Sequence, residues 1–164
     1  MRRNVGLVLL SGLCLLPVAA SARDASSNKS TAAVAQELRS FFAGQDQANR
    51  DGLNTTELAK RFYTEDAIIT GEGDAKPRRG IEGAASALDE WFAYLGPDGN
   101  KKCAFTVQDT VVASGNLASA FVVLNCKPNP PKITKEETIR QLFVLRHTPM
   151  GWRVAREMWE AGSF

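Results

Sequence analysis

From Cys103 onward the apolar residues recur at every second position, and the spacing does not return to a helical one. "CAFTVQDTVVASGNLASAFVVLNC" reads as two strands joined about Gly115-Asn116, and "ETIRQLFVLRH" with "WRVAREMWE" as two more joined by "TPMG". Strands that follow one another through short turns pair antiparallel, because a parallel pair needs a long crossover. "NPPKITKE" separates the two hairpins as a loop that Pro130 and Pro131 keep out of the ladder.

Upstream of Cys103 the spacing is helical. Val34, Leu38, Phe41 and Phe42 share one face of a first helix. Asn54 caps a second, with Glu57 placed to close a capping box and Leu53 to staple onto Leu58. That helix is expected to carry Leu58, Phe62 and Tyr63 inward and to run into Glu65 and Asp66. Two acids in a last turn oppose the helix dipole, which calls for a compensating partner such as Arg61. "AIIT" follows as a short buried strand and "GEGDAKP" as a turn, with Lys76, Arg78 and Arg79 at a solvated edge near Glu65 or Asp66. "GIEGAASALDEWFAYLG" is a third helix facing inward through Ile81, Ala85, Leu88, Trp91 or Phe92, and Leu95. Helices followed by hairpins make an α+β domain, with no internal repeat and no second domain.

The first residues read as a targeting signal. Arg2 and Arg3 precede the apolar run "VGLVLLSGLCLLPVA", and Ala20-Ser21-Ala22 follows as a small-residue cleavage site. The run is shorter than the roughly 18–20 apolar residues that span a bilayer. The expected organisation is a signal peptide over 1–22, a flexible leader over 23–33 and one domain over 34–164. The destination is the periplasm or the medium, with no membrane span. Losing Arg2 and Arg3 takes the 20 lysines and arginines to 18, level with the 18 aspartates and glutamates. A neutral mature chain has no electrostatic case for nucleic acid. Cys14 leaves with the signal, so Cys103 and Cys126 remain, and an oxidising compartment favours a disulfide over two buried thiols. If Ser114 faces Leu117, the two cysteines are diagonal neighbours on one face, bridgeable where a bulge shifts the register.

Three stretches carry a resemblance: Phe62-Tyr63-Thr64-Glu65-Asp66-Ala67 leading into Ile68-Ile69, Arg79-Gly80-Ile81-Glu82-Gly83-Ala84, and Gly151-Trp152-Arg153-Val154. In this order and spacing, from about Val34 to Trp159, the chain resembles the SnoaL-like group of the nuclear-transport-factor-2-like superfamily. The resemblance implies a cone-shaped fold of three helices packed on a strongly curved antiparallel sheet, with a pocket inside. It also implies frequent pairing of sheet faces, and outward Val112, Phe121 and Val123 suit a homodimer. Its members include isomerases, cyclases, dehydratases and hydrolases beside domains without assigned activity, so fold alone names no reaction. The places where its ketosteroid isomerases carry a catalytic Asp and an oxyanion-binding Tyr hold Gly71 and, on the first helix, Phe41, Phe42 or Gln45.

Hairpin parity puts Asp109 on a face with Phe105, Val107 and Val111, opposite Val122, where burial would raise its pKa and suit it to acid or base work. The alternative is a solvated place at the rim. Arg156 falls with Trp152, Val154 and Met158 opposite Phe143, able to clamp a carboxylate or else to lie along the sheet with its head in solvent. Gln141 is a neutral donor on that face. The expected pocket lining is Tyr63, Trp91, Phe105, Gln141, Phe143, Trp152 and Arg156. His147 is the only histidine and sits at a hairpin tip, which excludes a multi-histidine metal site, and no cofactor motif occurs. The functional reading is an exported protein whose pocket holds a small apolar or aromatic compound, with isomerase, cyclase, dehydratase and hydrolase chemistry all left open. The alternative is a catalytically silent interaction domain of the same fold.

Overall fold

A computed structural model of the chain describes residues 30–162, so the signal peptide expected at 1–22 and most of the leader lie outside the described residues. Helix α1 spans Thr31–Arg50, with the Ser30 hydroxyl accepting from the Ala33 amide. Residues 31–33 are therefore helical rather than part of a leader. Helix α2, Thr55–Phe62, opens with the expected capping box: Glu57 N–H donates to Asn54 Oδ1, and Asn54 N–H to Glu57 Oε2.

The second helix ends sooner than its sequence period suggests. Tyr63 is already extended (φ −114°, ψ 158°) and begins strand β1, Tyr63–Gly71. Aromatic and β-branched residues favour the pleated form, and Tyr63, Ala67 and Ile69 are buried while Glu65 and Asp66 are exposed. The two acids thus sit in a strand, and their conflict with a helix dipole does not arise. Asp66 meets Arg146 at 3.1 Å.

Strand β2 (Arg78–Arg79) pairs antiparallel with β1 and runs into α3, Gly80–Leu95. Gly80 has φ +68°, and a Cβ there would lie 3.2 Å from the Glu65 carbonyl, so a side chain would be strained at this corner. A 3₁₀ turn, Gly99–Lys102, leads into β3 (Cys103–Ser114), β4 (Leu117–Cys126), β5 (Glu137–Thr148) and β6 (Gly151–Ala161). All six strands form one sheet in the order β2-β1-β6-β5-β4-β3. The last four make the expected antiparallel meander, but β1 lies parallel to β6. The sheet is mixed because the whole intervening chain, α3 included, connects the two, and that length permits the same direction. Among the described residues no helix is long and apolar enough to cross a membrane.

The helices cover one face of the sheet. Leu38 and Phe42 from α1, Leu58 and Phe62 from α2, and Phe143 and Val154 from the sheet belong to the main core. A smaller cluster of Leu95, Leu124, Ile133 and Ile139 surrounds the disulfide.

Register shifts in β3 and β6 decide what faces the helices. Val107 pairs with Val122 and Asp109 with Phe121, so Gln108 is an extra residue in β3; a second shift follows between Val112 and Ser114. On β6, Val154 pairs with Leu145 and Arg156 with Val144, so Ala155 is extra. Because side chains alternate strictly, each extra residue reverses inward and outward for everything beyond it. The two shifts in β3 turn the diagonal cysteine arrangement into a directly opposed one. Cys103 pairs with Cys126 with Cα atoms 4.0 Å apart, and the two are disulfide-bonded. A bridge of this loop length contributes about 2–4 kcal/mol.

Candidate functional site

The cone is not filled. Between α1, α3 and the curved sheet lies a cavity of about 370 Å³. Helix α3 supplies Leu88, Trp91, Phe92 and Tyr94, and the sheet supplies Phe105, Leu124, Ile139, Phe143 and Trp159. Its size and apolar walls fall in the range of small-molecule sites. Phe42, Phe105 and Phe143 pack on one another with ring centroids 5.0–6.4 Å apart, closing one side of the space with aromatic core.

Against this apolar wall stands one buried acid. The Ala155 bulge turns Glu157 inward, opposite Phe143 in the register. Tyr63 O–H donates to its Oε2 at 2.6 Å, and Gln141 Nε2 donates to its Oε1 at 3.0 Å. All three side chains line the cavity. Burial pushes the Glu157 pKa up to about 6, against the two hydrogen bonds, which pull it down. Tyr63 is driven well above its ordinary 10, first by burial and then by the charge of Glu157 beside it, so it stays a neutral donor. A carboxyl that titrates near neutrality inside an apolar cavity can take or give a proton at physiological pH.

Helix α1 adds Gln45 and Asn49, both buried and both on the cavity wall. They continue the stripe of Leu38 and Phe42 at helical spacing, and two polar residues prolonging an apolar stripe were the available sequence sign of a pocket. Asp46 anchors the helix: both its oxygens accept from the Phe105 amide at 3.2 Å. That amide belongs to the edge strand β3, whose free N–H groups would otherwise lack a partner.

Of the lining expected from sequence, Tyr63, Trp91, Phe105, Gln141 and Phe143 meet at the cavity. Arg156 and Trp152 do not, and neither does Asp109, the candidate acid or base. The Gln108 bulge turns Asp109 to the outer face, where it is exposed and accepts from the Thr110 amide. The same bulge carries Val111 outward and Val112 inward. The Ala155 bulge sends Arg156 outward, where its Nη1 donates to the Asp66 and Ala155 carbonyls. Trp152 lies before that bulge and faces the core, its Nε1 donating to Glu37 at 2.9 Å, away from the cavity. Arg78, placed by sequence at a solvated edge, is on the cavity wall instead, held by Asp74 at 2.9 Å and Glu90 at 2.6 Å. Gly71 and Trp159 are register partners, and a Cβ on Gly71 would fall 1.9 Å from the Trp159 indole. Only glycine lets that ring lie against β1 and form part of the wall.

Neither a protein-family model nor a curated protein matches the sequence. Solved structures do. An NTF2-like protein of unknown function from Shewanella oneidensis superposes with a TM-score of 0.62 at 13% identity, over 77% of this chain and 98% of that one. A similar protein from Pseudomonas putida gives 0.60 at 21%, over 83% and 92%. A ketosteroid isomerase-like protein from Erwinia carotovora atroseptica gives 0.58 at 18%, over 81% and 96%. The chain has the nuclear-transport-factor-2-like fold, and at these identities the likeness is one of fold alone.

The buried acid has a measurable signature. Its folded pKa of about 6 lies above the ordinary 4.5, so the stability tied to it is full below the lower value and is lost as pH rises through the higher. Glu157→Gln removes that loss. Relative to the parent, the variant should gain about 2 kcal/mol of stability between about pH 4 and pH 7, read from urea unfolding at each pH. A difference that stays flat with pH contradicts a buried, titrating Glu157.

Proposed function

We propose that this chain is an exported SnoaL-like protein that holds a small, largely apolar or aromatic molecule in its cone. The observation that carries this reading is the cavity of about 370 Å³, walled largely by aromatic and aliphatic side chains and holding the buried Glu157 carboxyl, which Tyr63 and Gln141 hydrogen-bond. An interaction domain that used the same aromatics only as core would pack them to the floor of the cone, and such an open space has no purpose there. Any proton transfer within the cone falls to Glu157, with Tyr63 and Gln141 fixing its carboxylate. Asp109 is too far round the sheet to share that work, being on the outer face.

N-phenyl-1-naphthylamine, a neutral dye that brightens in apolar surroundings, tests the pocket. A saturable rise in its emission is expected with the parent. With Ala87→Trp, which puts an indole into the cavity from α3, that rise should be lost while the unfolding midpoint shifts little. No saturable signal from the folded parent moves the weight to the interaction domain.

Export and dimer formation belong to the same proposal. The signal pattern at 1–22 supports the first. The second is supported by Phe121, Leu142 and Met158, which stand in one row across the outer faces of β4, β5 and β6, with Phe121 and Met158 exposed. Exported material should begin near Arg23 by intact-mass measurement and scatter light as two chains. Retained Arg2 and Arg3, or a mass of one chain at micromolar concentration, would remove the corresponding half.

A further inference from the structure

We infer that the molecule held in the cone is an organic cation: a protonated amine on an aromatic or aliphatic body. The inference rests on the pocket reading above and adds the chemical class of its ligand.

Charge is the first ground. Among the described residues, the ionisable carboxylates and bases on the cavity wall are Glu90, Glu137, Glu157 and Arg78, three acids against one base. The base is already balanced, because Arg78 Nη2 meets both Asp74 and Glu90. Glu137 and Glu157 take part in none of the ion pairs found among the described residues. An anionic ligand would therefore enter a wall of like charge, and a cationic one a wall of opposite charge.

Hydrogen bonding is the second ground, and it is independent of the first. Gln141 must turn its amide nitrogen to Glu157, which leaves Gln141 Oε1 without a donor. Gln45 Oε1 is a second acceptor without a donor. Both side chains line the cavity and are more than nine-tenths buried, at 7% and 4% exposure. A buried acceptor left unpaired is destabilising, because it has lost its hydration with no donor in exchange. An ammonium group carries three donors and no acceptor, while the Glu157 carboxylate retains lone pairs beyond those that Tyr63 and Gln141 use. Among the described residues, the one unpaired buried donor on this wall, Arg78 Nη1, has its charge balanced already and suits a neutral oxygen on the ligand.

Aromatic faces are the third. Trp91 and Tyr94 stack with centroids 5.4 Å apart at the wall, and Trp159, Phe105 and Phe143 complete it. The negative faces of such rings attract cations.

The test compares matched probes on the folded, disulfide-bonded mature chain by titration calorimetry at neutral pH. One series is tryptamine, tryptophol and indole-3-acetate; the other is octylamine, octanol and octanoate. In at least one series the amine should bind ten-fold or more tightly than its alcohol and its acid. Glu157→Gln should narrow the amine-to-alcohol ratio to within about three-fold while leaving the alcohol's affinity in place. Should that variant not fold, the comparison on the parent decides alone. Equal binding within each series, or tighter binding of the acid, overturns the cation and leaves the pocket standing. No binding by either series removes both.

Discussion

One extra residue in β6 settles what the cone contains. Ala155 has no partner of its own in the ladder with β5, and strict alternation then reverses every later side chain. Without it Arg156 and Met158 would face the helices, and Glu157 and Trp159 would face solvent. With it, a carboxylic acid and an indole enter the cone and an arginine leaves. The bulge at Gln108 in β3 does the converse for Asp109. The chemistry of the cavity is thus a matter of register, decided before any side-chain contact is made.

The acid so introduced is destabilising in its ionised form, since charge in an apolar surround lacks its hydration. Tyr63 and Gln141 offset part of that cost, and neither is neutral to the fold. Tyr63 is the first residue of β1, at the point where α2 stops, and Gln141 lies on β5. The hydrogen bonds to one carboxylate therefore tie together three neighbouring strands, β1, β6 and β5. Helix α1 stands off from them, fixed through Asp46 to the edge strand and through Phe42 to Phe105 and Phe143. Its position leaves Gln45 and Asn49 beside the open space instead of pressed against the strands.

The parts of this structure that depend on spacing were legible in the sequence. The α1 face, the α2 capping box, the hairpin turns and the order of elements all follow from local patterns. Tyr63, Phe105, Gln141 and Phe143 were placed inward because none lies beyond a bulge on its strand. Most of the differences have one origin. A bulge leaves no mark on apolar alternation until the partner strand is known, so Asp109, Val111, Val112, Arg156 and Met158 were all assigned to the wrong face. Trp159 turns inward through the same Ala155 bulge, whereas Arg78 was missed for another reason: its place on the wall depends on its ion pairs with Asp74 and Glu90, which no apolar pattern reports.

Glu157 facing the cone through the Ala155 bulge is the central claim, and its own titration tests it most directly. In protein carrying ¹³C at the glutamate side-chain carboxyls, the resonance assigned through its loss in Glu157→Gln should move with a midpoint of about 6. A midpoint at or below the ordinary 4.5 would place this carboxyl in solvent, on the face that unbroken alternation would have given it.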